Sequence, residues 1–100
     1  MNWSEARDKT LAEWARIRDH LEEIEPLELL TEINAMNTLC DKAEEQAHGR
    51  GRCDYCVGYH QFGGCGDITA EMNRSLLDKD WPALRRQVQL FMERLEKLEI

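Results

Sequence analysis

Residues 80–98 read DWPALRRQVQLFMERLEKL, and the placing of their apolar side chains decides the fold class. Trp81, Leu84, Val88, Phe91, Leu95 and Leu98 follow one another at alternating steps of three and four. That spacing lines them up in one stripe along a helix and excludes a strand, whose faces alternate every second residue. Asp80 supplies an N-cap carboxylate, and Pro82 falls in the first turn, where its missing N–H has no partner to lose.

Working outward, Ile68, Met72 and Leu76 give a shorter helix with Asp67 as N-cap and Glu71 near its positive end. Further back, Leu29, Ile33, Met36, Cys40, Ala43 and Ala47 alternate by four and three without a miss. The spacing predicts one long second helix, opened by Pro26 and stopped at Gly49. Its seam narrows from Leu and Ile to Ala, which leaves room against the last turns. Trp14, Ile17, Leu21 and Ile24 mark a first helix from an N-cap at Ser4 to about Glu25. The expected fold is all-α: a small antiparallel bundle of about four helices in a single domain over residues 1–100. Only Val57 to Phe62 suggests a locally extended segment.

Composition agrees with that class. The chain has 100 residues, 42% hydrophobic and 33% charged, enough for one modest core. No stretch approaches the roughly 18 apolar residues of a membrane span. The opening MNWSEARDKT lacks the basic and apolar segments of a signal peptide. The expected location is therefore cytoplasmic, where clustered thiols stay reduced and point to metal or redox chemistry before disulfides. The net charge of −7 is uneven: residues 1–48 hold 5 Lys and Arg against 12 Asp and Glu, while residues 49–100 balance 8 against 8. An acidic surface of this kind opposes nucleic acid and anionic membrane. It suits solubility or a basic protein partner.

Residues 49–67, GRGRCDYCVGYHQFGGCGD, interrupt the helices and carry the candidate chemistry. They hold Cys53, Cys56 and Cys65, both tyrosines, Phe62, His60 and all six glycines. Cys53-Asp54-Tyr55-Cys56 has the two-residue spacing that brings two sulfurs to one tetrahedral ion. Cys65 is the third ligand, turned back by Gly63 and Gly64. For the fourth, Cys40 lies two turns before the second helix ends, within reach of a loop that doubles back through Gly49 and Gly51. The alternative fourth ligand is His60, with His48 a weaker option. Zinc, closed by four ligands and structural, is the expected metal; an iron–sulfur cluster is the alternative, since the close-packed cysteine runs of ferredoxins are missing. Arg50 and Arg52 beside Cys53 would lower thiol pKa and offset the charge of a tetrathiolate.

Taken alone, Cys53 to Cys65 reads C-x2-C-x3-H-x4-C. It resembles the zinc knuckle family, whose pattern C-x2-C-x4-H-x4-C is one residue longer before the histidine. The resemblance covers thirteen residues and implies a Cys53, Cys56, His60, Cys65 ligand set. It would also put Tyr55 and Phe62 on unpaired bases and Arg50 and Arg52 on phosphate. A thioredoxin-type role for Cys53 and Cys56 would need a βαβ setting, which the helical surroundings do not supply.

No phosphate loop, nucleophile elbow or carboxylate–histidine set is present, and a metal with four protein ligands has no open position. The chain is therefore expected to be no enzyme. The function expected is a protein-binding or adapter module, its metal-held loop displaying Tyr55, Tyr59 and Phe62. A redox- or metal-responsive thiol switch is the alternative, and nucleic-acid binding ranks third. The seams also suit a homodimer.

Overall fold

The structure is a computed structural model that describes residues 1–63 and 65–100. Its regular elements, among the described residues, are all helical: α1 Trp3–Asp19, α2 Pro26–Asn34, α3 Thr38–Ala47, α4 Val57–Phe62, α5 Cys65–Leu77 and α6 Trp81–Glu96, with a 3-10 turn at Arg52–Tyr55. The helical class holds. The expected count of about four does not, for two local reasons.

The long second helix is broken. After α2, Ala35 turns extended (φ −71°, ψ 154°) and Asn37 becomes the N-cap of α3, its side-chain oxygen accepting the Cys40 N–H at 3.0 Å. Asparagine competes with helix geometry by bonding the backbone in this way, and an apolar stripe carries no record of it. The break removes the middle of the stripe from the core. Leu29, Ile33, Ala43 and Ala47 are buried as expected, but Leu39, off the stripe, is buried with them, while Met36 is 45% exposed and Cys40 only half-buried.

The segment between α3 and α5 is also not a plain loop. Val57 to Phe62, expected to be extended, forms α4. Gly58 is buried within it, and a Cβ there would stand 3.0 Å from Phe62 Cζ. The close approach lets Phe62 fold inward onto the core.

Elsewhere the sequence reading needs smaller adjustments. The cap of α1 is Asn2, whose side-chain oxygen accepts the Glu5 N–H at 2.8 Å, rather than Ser4. That helix stops at Asp19, because the His20 carbonyl gathers the N–H groups of Glu23 and Ile24 in a tight turn. Leu21 still reaches the core from that turn. Asp67 lies inside α5 rather than capping it. Along α6 the stripe stands: Leu84, Val88, Phe91, Leu95 and Leu98 are buried, and Asp80 accepts the Ala83 N–H at 3.2 Å.

α1 and α6 run antiparallel, as their contacts show. Trp14 meets Phe91 edge-on at 5.0 Å, Arg18 reaches Gln89, and Glu22 pairs with Arg85, so one set of numbers rises as the other falls. α5 returns along α6, with Ser75 donating to Gln87 at 3.0 Å. α2 meets α5 through reciprocal amide bonds between Asn34 and Asn73. A single apolar cluster unites these faces around Phe91, Met72, Leu29 and Leu95. Among the described residues no helix is long and apolar enough to cross a membrane.

Candidate metal centre

The start of α3 is fixed by side chains from elsewhere. The first N–H groups of any helix lack partners within it. Here Thr38 donates its N–H and hydroxyl to Glu13 at 3.2 and 2.7 Å, and Leu39 donates to the Thr10 hydroxyl at 3.0 Å. Asn37 takes Cys40, as above. Thr10 is fully buried and donates its own hydrogen to the Ala6 carbonyl at 2.9 Å. Two residues of α1 thus set the position of Cys40, and the Glu13 carboxylate complements the positive end of α3.

The other three cysteines come from the 3-10 turn, from the residue that joins it to α4, and from α5. At the far end of α3, His48 and Gly49 both take positive φ (51° and 83°), which reverses the chain. The expected cap position thus falls on His48, one residue before Gly49. Arg50 follows, donating its backbone N–H and its Nε to the Ala47 carbonyl at 3.1 and 3.2 Å. Its guanidinium also lies 5.8 Å over the Tyr55 ring. The reversed chain packs the 3-10 turn along α3. Cys53 is exposed in that turn, whose end is closed by the Cys56 N–H on the Cys53 carbonyl at 3.2 Å. Cys56 precedes α4, and Cys65 opens α5; both are half-buried. The return turn has Gly63 at φ 87°, a conformation that suits glycine, while Gly64 lies outside the described residues.

All four cysteines line one cleft of about 250 Å³, open on one side. Trp14, Ile33 and Phe91 form its apolar wall, Ala43 lies along it, and Arg52 and Tyr59 complete the lining. Among the described residues no three His, Cys, Asp or Glu groups are clustered so as to hold one metal ion.

Burial pushes the Cys65 thiol up to about 11, and the neighbouring Cys40, Cys56 and Cys53 act in the same direction. Burial also raises Cys40, opposed by the Asn37 backbone and by the Arg52 guanidinium beside it. Both thiols are protonated at neutral pH in the metal-free chain, so loading a metal would release protons.

His60 lies apart. It is exposed, and its Nε2 donates to the Asp54 carbonyl at 2.5 Å, outside the cleft that gathers the cysteines. His48 is exposed at the end of α3. Of the residues that the knuckle resemblance would turn to nucleic acid, Phe62 packs edge-on against Phe91 at 6.2 Å and Arg50 is spent on α3 and Tyr55. Of the three aromatics expected on display, Tyr59 is 43% exposed while Tyr55 and Phe62 are half-buried.

Several residues that build the site carry no motif. Thr10 and Glu13 act across a gap of more than twenty residues, and Gln61 holds α4 to the end of the chain through paired bonds with the Glu99 backbone at 2.6 and 2.8 Å. Asn37 was the one readable signal: an asparagine three residues before Cys40 marks a possible N-cap, at the cost of breaking the seam. No protein-family model, curated protein or solved structure matches the chain.

Proposed function

We propose that this chain is a metal-binding helical protein in which Cys40, Cys53, Cys56 and Cys65 form one thiolate centre closing residues 49–67 over the helices. The observation that carries the reading is the convergence of four cysteines, from α3, the 3-10 turn, the residue before α4 and the start of α5, on a single cleft. Zinc and iron–sulfur clusters both take four thiolates. The role is structural rather than catalytic, since four protein ligands leave no coordination position for a substrate. The closed segment then serves as a protein-binding surface, with Tyr59 as its anchor beside the cleft and the acidic N-terminal half favouring a basic partner.

Elemental analysis of the purified protein tests the centre. Stoichiometric metal is expected, lost in Cys40→Ser and kept in His60→Ala; a chain that neither carries nor takes up metal refutes it. One observation favours a second reading, a redox-responsive switch: Cys53 is exposed and is the first thiol an oxidant meets. Peroxide titration separates the two, because metal retained at modest oxidant removes the switch.

A further inference from the structure

Resting on the reading of the four cysteines as one centre, we infer that its occupant is an iron–sulfur cluster rather than a single zinc ion. The first ground is volume. Zinc draws four thiolates to ~2.3 Å, so that neighbouring sulfurs lie about 3.8 Å apart and the ion fills the space between them. The cleft that these thiols help to line measures about 250 Å³, room for roughly eight waters at ~30 Å³ each. In a cluster the four thiolates are shared among two or four irons, with inorganic sulfide between the irons, so the four sulfurs stand around a body of several atoms rather than one ion. Four thiols on the wall of a cleft that large leave room for such a body beside them.

The second ground is where the ligands come from. The case for zinc in the sequence rests on the absence of a ferredoxin run. That run matters when one loop supplies neighbouring ligands. Here α3 supplies Cys40 and α5 supplies Cys65, so the spacing is dictated by helix packing and excludes no cluster.

The third ground is the lining. Trp14 and Phe91 give the cleft an apolar wall, and Ala43 keeps α3 slim where a larger side chain would occupy it. Arg52 lies beside Cys40, and Cys40 itself stands in the first turn of α3. The Arg52 cation offsets part of the negative charge of a cluster bound to four thiolates. On assembly the four thiols release their protons to solvent and their sulfurs bond to iron; iron and sulfide come from the medium.

The test uses the full chain, purified without oxygen, and its metal-free form supplied with ferric iron, sulfide and a thiol reductant, or with zinc alone. Zinc, iron and acid-labile sulfide are measured together with the visible spectrum. Iron and sulfide in near-equal amounts are expected, with a brown colour that dithionite bleaches by donating an electron to the cluster. Cys40→Ser and Cys65→Ser lose the colour; His60→Ala keeps it. One zinc per chain without sulfide overturns the cluster and leaves the thiolate centre standing. Iron that persists in both Cys→Ser variants also overturns the cluster, as adventitious binding. No uptake of either metal overturns the cluster and the centre together.

Discussion

Replacing Thr10 by Val tests how firmly α1 sets the site. The substitution keeps the volume of a fully buried side chain and removes only the hydroxyl. Two bonds go with it: the donation to the Ala6 carbonyl at 2.9 Å and the acceptance of the Leu39 N–H at 3.0 Å. The Ala6 carbonyl keeps its place in the helical ladder of α1, so its loss is small. Leu39 is different. Its N–H lies in the first turn of α3, has no carbonyl to turn to, and is covered by a side chain only 4% exposed. An unsatisfied buried donor costs about 1–3 kcal/mol, and we take ~2 kcal/mol for this one. For a domain of this size that lowers Tm by roughly 8–16 °C. The assay is thermal and urea denaturation of the metal-free protein followed by circular dichroism, beside Thr10→Ser. Serine keeps both bonds and gives up one methyl, at about 0.8 kcal/mol. Val is thus expected to be the more damaging change although it is the better match in size. A Val variant as stable as the wild type, or more stable than Ser, refutes the account.

Gly58→Ala sets a Cβ against the Phe62 ring and forces α4 off Phe91; overpacking of this kind costs about 1–3 kcal/mol, read as a lower urea midpoint with an unchanged slope. Cys65 gives a pH dependence of definite sign. Its folded pKa of about 11 lies above the ordinary 9.0, so the folded chain holds the proton that the unfolded chain loses first. The stability of the metal-free protein is therefore full below pH ~9 and falls as pH rises toward 11; Cys65→Ala is expected to flatten that fall. Alkylation mapped by mass spectrometry should label exposed Cys53 first and Cys65 last, with the Cys65 rate climbing up to about pH 11. Gln61→Ala removes both bonds to Glu99 and should raise hydrogen exchange at the Glu99 amide while leaving α6 protected.

Of the fold, the sequence makes legible whatever an apolar stripe can carry. α6 follows its stripe because Asp80 and Pro82 fix the start and every third or fourth residue faces the core. The same logic misreads residues 29–47. The stripe there is as regular, but Asn37 offers Cys40 a side-chain acceptor, Thr10 and Glu13 offer Leu39 and Thr38 others, and the chain starts a new helix. Those competing partners lie on α1, out of sight of any local pattern. Of the candidate site, the cysteines are visible in the sequence because few residue types could serve, and the cleft brings together all four. The inward turn of Phe62 was hidden: it depends on a glycine four residues earlier having no Cβ and on a phenylalanine from α6 to meet it. The hydrogen bond that occupies His60 was hidden for the same reason, since its acceptor is a backbone carbonyl.

The bonds from Thr10 and Glu13 to the first turn of α3 also bear on protein engineering. The cysteine segment looks portable, a few dozen residues that could be spliced into another scaffold. Transplanted as residues 37–66 it would arrive with its first ligand on a helix whose opening turn had lost two of its three anchors. A recipient would need a threonine and a glutamate, one helical turn apart, presented by a second helix at the right height. The smallest transferable unit therefore begins inside α1, well upstream of the first cysteine.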